Sequence, residues 1–217
     1  MSHITLVRHG QANSTARDEA GYDQLSPLGR QQSAWLGGHL DAHRQLHTRL
    51  YTGTLRRHVE TADAMATDLD PVRDSRLNEL EYFTLARAMQ DEHGLAIPSD
   101  REGFVTHLPQ VFAAWHENRI AAAPETFAAF ETRIRDVLDD IAAGDGPALV
   151  VTSGGLIAFA MRQILRLDIP ATAAMALAIF NTSLHRLFPI GGTLAPVLFN
   201  AIPHLEPPDR HHAQTHL

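Results

Sequence analysis

Two short apolar runs, one near each end of the chain, constrain the fold more than any other feature. Ile4-Thr5-Leu6-Val7 is mostly apolar and β-branched and stops at Arg8-His9-Gly10, the pattern of a buried strand that ends in a tight loop. Residues 148–152 repeat it: an apolar run stops at Ser153-Gly154-Gly155, and a helical pattern then continues to about Leu165. Strands this apolar belong to sheets covered by helices on both faces. In open α/β sheets ligands bind beyond the carboxyl ends of the strands, which is where both loops fall, so two distant segments are expected to meet at one site.

The rest of the chain alternates in the same way. Ser26-Pro27 supplies a cap and a first-turn proline, and Leu28, Trp35, Leu36 and Leu40 recur at helical spacing, which predicts a helix over 27–47. Residues 50–52 read as a second strand. A helix capped by Thr54 follows, with Leu55, Val59, Ala62, Met65 and Ala66 on one face. An extended segment and loop are expected at 71–80 and a helical insertion over the core at 82–124. An amphipathic helix is expected over 125–143, stopped by Gly144-Asp145-Gly146-Pro147. Closing strands are expected at 175–180, 184–188 and 194–200, the last two joined through Ile190-Gly191-Gly192-Thr193. The expected architecture is three-layer α/β/α with a mostly parallel central sheet, in one domain over 1–203, with a disordered tail at 204–217.

Composition limits the chemistry. A formal charge of -7 gives no general reason to approach nucleic acid or an anionic membrane, so phosphate binding must come from local arginines. The absence of cysteine excludes disulfides and thiolate catalysis. The first residues look like neither a signal peptide nor a membrane span, and a cytoplasmic protein is expected. His204, His211, His212 and His216 have no compact ligand spacing, so no metal or other cofactor is expected.

His9 offers a nitrogen nucleophile that is partly neutral near pH 7, and Arg8 a planar fork of donors suited to phosphate oxygens. Phosphoryl transfer asks mainly for positioning and positive charge, so a second arginine is expected. Arg56 and Arg57, at a helix start, are the candidates.

Leu6-Val7-Arg8-His9-Gly10-Gln11-Ala12, Leu25-Ser26-Pro27-Leu28-Gly29-Arg30-Gln31-Gln32, the segment from Thr54 to Ala62 and Leu77-Asn78-Glu79 together resemble the histidine phosphatase superfamily, which includes the cofactor-dependent phosphoglycerate mutases. That resemblance implies a phosphohistidine on His9, Arg57 as the second arginine by its spacing from Thr61, and Glu79 as general acid and then base, with Glu81 the alternative. Arg8, Arg57, Asn13, Ser153 and the Gly154 amide are the expected phosphate contacts. One departure stands out: Thr152-Ser153-Gly154-Gly155 occupies the place of the family's serine-histidine-glycine-glycine, so a second histidine is missing. Weakened catalysis is expected, with His58 or His185 as possible substitutes.

Three functions follow. The first is a phosphomonoesterase acting on a small phosphorylated substrate or a phosphoprotein. The second is phosphoglycerate mutase-type phosphotransfer, disfavoured because Leu77-Asn78-Glu79-Leu80-Glu81-Tyr82 lacks the basic residue that mutases place after the glutamate. The third is a phosphate-ligand binding or regulatory protein whose catalysis has decayed.

Overall fold

The computed structural model describes residues 2–13, 15, 16, 18–43 and 47–216. Six strands, β1 (Ile4–Arg8), β2 (Arg49–Thr52), β3 (Pro71–Arg73), β4 (Ala148–Thr152), β5 (Leu184–Ile190) and β6 (Thr193–Ala201), form one sheet of order β3-β2-β4-β1-β5-β6. The pairs β3-β2, β2-β4 and β4-β1 are parallel, while β1-β5 and β5-β6 are antiparallel. The β5–β6 hairpin turns through Gly191 and Gly192 at φ 60 and 83, the left-handed pair that a tight hairpin demands. Pro71 opens the edge strand β3, where a missing N–H is tolerated.

Helices α1 (Glu19–Tyr22), α2 (Pro27–Ala42), α3 (Arg56–Met65), α4 (Tyr82–His93), α5 (Arg101–His116), α6 (Phe127–Ala143), α7 (Gly154–Leu165) and α8 (Ile169–Ala178) surround the sheet. Period-two alternation sorts the central strands between two cores. Val7, Leu149 and Val151 pack with Leu36 and Leu40 of α2 and Ala62 and Met65 of α3. Ile4, Leu6, Ala148 and Val150 face the larger core. There Phe159 of α7 meets Phe112, Trp115, Phe127 and Phe130 at ring-centroid distances of 5.2, 6.0, 5.3 and 5.0 Å, joining α5, α6 and α7. Among the described residues no helix is long and apolar enough to cross a membrane.

Three expectations differ from the structure. The helix expected over 27–47 ends at Ala42 with His43 as its cap; residues 44–46 lie outside the described residues. The strand expected at 175–180 is mostly helix α8, because Asp168 caps the Ala171 amide at 2.8 Å, Pro170 sits in the first turn and the following alanines favour helix. The expected disordered tail is docked instead. Residues Pro203–Leu205 and Pro208–Ala213 form 3-10 turns, Gln32 Nε2 donates to Ala213 O at 2.7 Å, and Arg210 stacks over Trp35 at 4.8 Å. Polar composition misled there, because the few apolar residues of the tail, Leu205 and Ala213, pack with Leu28, Trp35 and Phe180 and distant side chains bond its carbonyls.

Two buried histidines close the antiparallel edge. His185 Nδ1 accepts from the Asn200 amide at 3.2 Å, and its Nε2 lies 2.8 Å from Ser183 Oγ, whose proton goes to Phe180 O. His204 Nε2 lies 2.8 Å from Thr182 Oγ1, whose proton goes to Asn181 O. Each ring therefore donates from Nε2, and His185, whose Nδ1 accepts, is neutral. Burial, helped by Arg8 at His185 and by His39 and Arg210 at His204, pushes each pKa down to about 3.

An unfolded histidine titrates near 6.5, so this stability is present above that pH and is lost as pH falls from 6.5 toward 3, at about 1.4 kcal/mol per pH unit per ring. We predict a steep fall in the urea midpoint between about pH 6.5 and 5, with a shallower slope in His185→Gln. Equal slopes in the two proteins would contradict the assignment.

Candidate active site

The site is assembled by strand register. Arg8 pairs with Thr152 where β1 and β4 end, and the His9 amide continues the ladder to Thr152 O at 2.8 Å. The Gly53 amide reaches Val151 O at 3.2 Å, so the loops after β1, β2 and β4 leave the sheet side by side. The start of α2 braces the first of them. Ser26 Oγ accepts from the Gly29 amide and donates to Gln11 Oε1, and Gln32 Oε1 accepts from the Gln11 amide at 2.8 Å. A Cβ on Gly29 would overlap the Gln11 backbone, so glycine is required for this close approach.

A cavity of about 860 Å³ opens over these loops, and Arg8, His9, Arg57, Glu79 and Gly154 all line it. Asn13 and Ser153 stand outside its lining. The Asn13 amide group donates to Gly21 O at 3.1 Å and its side-chain oxygen accepts from Thr15, so Thr15 and Ala16 face the cavity in its place. His9 Nδ1 lies 2.7 Å from Gly10 O and must donate to it, which leaves the Nε2 lone pair free. Burial, then the charges of Arg57 and Arg8, then His58 push the His9 pKa well below the usual histidine value, against the opposing Gly10 bond. The ring is neutral at neutral pH.

Arg57 is buried and held from outside its own helix. Asp23 Oδ1 accepts from the Arg57 amide at 3.1 Å and from its guanidinium at 3.0 Å, Asp23 Oδ2 accepts from the Arg56 amide at 2.9 Å, and the guanidinium lies over the Tyr22 ring. Asp23 thus caps α3. Thr54, the expected cap, instead binds Asn78. Arg56 stays outside the cavity lining and bonds Glu60. Arg8 donates to Ile179 O and to His216 O, so the end of α8 and the tail together fix its guanidinium.

Glu79 has no contact with Arg76, which pairs with Asp74 and Asp140. Its Oε2 accepts from the Gly155 amide at 2.8 Å, and its Oε1 from the Leu156 and Leu80 amides at 3.1 and 3.0 Å. The carboxylate therefore caps α7 while Oε2 keeps a lone pair. Glu81 bonds Thr84 and is absent from the cavity lining.

With the α7 amides taken by Glu79, Ser153 makes no cap bond although it is the N-cap residue. Its Oγ lies 2.6 Å from His58 Nε2, and the His58 ring centroid is 5.7 Å from that of His9. His58 is fully buried, and burial followed by Arg57 pushes its pKa well below the usual value. His185 is bonded within the β5 edge and does not line the cavity. Of the two histidines considered as substitutes, His58 is the one beside His9.

The histidine phosphatase superfamily (branch 1) model matches residues 4–202. The chain belongs to that superfamily. No curated protein matches it. Among solved structures, phosphoserine phosphatase from Entamoeba histolytica in complex with phosphoserine is similar at 16% identity and TM-score 0.70, covering 94% of this chain and 100% of that one. A mycobacterial glucosyl-3-phosphoglycerate phosphatase complexed with VO3 is similar at 24% identity and TM-score 0.66, covering 93% and 100%. Phosphoglycerate mutase from Bacillus anthracis str. Sterne is similar at 19% identity and TM-score 0.68, covering 94% of each chain. At these identities the likeness establishes the fold.

Within this superfamily fold, the residues that sequence reasoning missed reach the cavity from short or distal segments. Glu19 and Tyr22 come from α1, and His216 from the tail. Glu19 Oε1 accepts from the Phe83 amide at 2.9 Å, and burial raises its pKa. Asp18 ahead of α1, which caps Gly21, is the one local signal that was available. Among the described residues no three His, Asp or Glu groups gather as a metal-ligand set.

Gly155 admits Glu79 because a Cβ there would overlap the carboxylate. Gly155→Ala favours helix by about 1 kcal/mol but must displace Glu79. We predict a thermal midpoint changed by only a few degrees, with kcat lowered by about 10²-fold or more if Glu79 is the proton donor. Unchanged kcat would disconnect this carboxylate from turnover.

Proposed function

We propose that the chain is a phosphomonoesterase acting through a phosphohistidine on His9. The observation that carries this reading is the shared cavity of His9, Arg8, Arg57 and Glu79, with His9 Nε2 left without a hydrogen-bond partner among the described residues by the Gly10 bond. The Nε2 lone pair attacks phosphorus in line, and the ester P–O bond breaks toward the leaving oxygen, which takes a proton from Glu79. Water then gives a proton to Glu79 and attacks phosphorus, and the P–N electrons return to the ring. Arg8, Arg57 and the Gly154 amide stabilise the phosphoryl oxygens. No step calls for a metal, and a cavity of about 860 Å³ has room for a small phosphorylated substrate.

Hydrolysis of p-nitrophenyl phosphate tests the reading. His9→Ala is expected to lose more than about 10³-fold in kcat/KM, together with the phosphoryl adduct seen by intact mass after an alkaline quench. Glu79→Gln is expected to lose about 10²–10⁴-fold. His9→Ala with activity intact would remove this mechanism. Conversion of 3-phosphoglycerate to the 2-isomer faster than its hydrolysis would make the protein a mutase instead.

One observation favours a weaker, ligand-binding protein: Ser153 Oγ is buried against His58, so the formal positive charge at the phosphoryl end comes from Arg8 and Arg57. A histidine at 153 would collide with the His58 ring, so Ser153→His needs His58→Ala beside it. If the wild type binds inorganic phosphate but hydrolyses no ester, and that double variant gains turnover, the binding reading holds. Efficient wild-type turnover ends it.

A further inference from the structure

We infer that the site selects phosphate monoesters of alcohols with an extended apolar body, in preference to short acidic ones. The inference rests on the phosphomonoesterase reading above and concerns what lies beyond the phosphoryl group. Cavities of about 300–1,000 Å³ take whole drug-sized ligands, and this one, at about 860 Å³, holds far more than a phosphoryl group.

Its chemistry divides. The phosphoryl end carries Arg8, His9, Arg57 and Glu79, whereas Leu80, Phe83, Phe104, Leu108, Phe112 and Leu177 also line the cavity. Leu80, Leu108 and Phe112 are buried, and Leu80 directly follows the proposed proton donor. The Tyr82 hydroxyl is turned onto His107 Nδ1 at 3.0 Å, so that residue offers its ring to the cavity.

Beyond the phosphoryl end, none of the cations that line the cavity is buried. Glu19 is acidic, and its carboxylate is bonded to the Phe83 amide. Arg87, Asp100 and Arg101 are exposed, and Arg101 is bonded to His216 Nε2 at 2.8 Å. A carboxylate three bonds from the ester oxygen would exchange water for leucine and phenylalanine side chains, which is unfavourable. An alkyl or aryl body gains from the same exchange.

Ethyl, butyl and hexyl phosphate have nearly the same leaving-group basicity, so their comparison isolates the wall. We expect kcat/KM to rise by about threefold to fourfold per added methylene, and hexyl phosphate to exceed phosphoserine and 3-phosphoglycerate. In Phe104→Ala the gain per methylene is expected to shrink. Ethyl-, butyl- and hexylphosphonate, which are not hydrolysed, should show the same order in calorimetric affinity. A flat or falling series, or preference for the two acidic esters, overturns the inference while leaving hydrolysis intact. If no ester is turned over, hydrolysis itself fails, and the phosphonate affinities still decide this one.

Discussion

The parallel pairing of β1 with β4 is the constraint on which the rest depends. Because Arg8 is in register with Thr152 and the next amide, that of His9, bonds Thr152 O, the nucleophile candidate and the α7 turn leave the sheet at the same level. A slip of one residue would invert every side chain on β1, exchanging Val7 for Leu6 between the two cores. Burial on both faces is therefore what fixes the position of His9. The segment behind the loop adds to this: Asn181 Nδ2 donates to His9 O and the Thr182 amide to Arg8 O. Thr182 holds a left-handed φ of 59, which for a β-branched residue costs about 1–3 kcal/mol and persists only where the surroundings over-determine it.

Electrostatics at the site follow from what each charged group is already bonded to. Arg57 is partly neutralised by Asp23, and the Ile179 and His216 carbonyls orient Arg8 without removing its charge. His9 and His58 are both neutral because burial disfavours protonation, helped by Arg57 at both rings and by Arg8 at His9. A histidine that must attack phosphorus requires that state, and a dianionic ester supplies the charge that the arginines lack. In the proposed mechanism the same positive surroundings that attract the phosphoryl group keep His9 unprotonated.

The legible parts of this architecture were those whose cause is local. β1, β4 and their glycine loops could be read because an apolar run and its stop are contiguous, and the start of α2 because Ser26, Pro27 and Gly29 cap and brace within a few residues. The α8 region carries in Asp168 and Pro170 the same cap-and-proline signal as Ser26 and Pro27, but the apolar run of Met175, Leu177, Ile179 and Phe180 reads equally as a strand. The tail was misread because its anchors, Gln32 and Arg8, lie far away in sequence. Asp23 and His58 could not be assigned for a similar reason: their partners, Arg57 and Ser153, are brought to them only by the completed sheet.

Ser153 shows how such non-local choices depend on one another. A serine at a helix N-cap ordinarily accepts from the second or third amide of the helix. Here Glu79 occupies the Gly155 and Leu156 amides, and only because residue 155 has no Cβ. The carboxylate's position therefore releases the serine hydroxyl, and the 2.6 Å bond to His58 Nε2 takes it up. In the His185–Ser183 and His204–Thr182 pairs the hydroxyl proton ends on a backbone carbonyl, Phe180 O or Asn181 O. Glu79, Gly155, Ser153 and His58 consequently form one linked arrangement. A change at any one of them alters the hydrogen bonding of the next, and through His58 it reaches the wall against which His9 is packed.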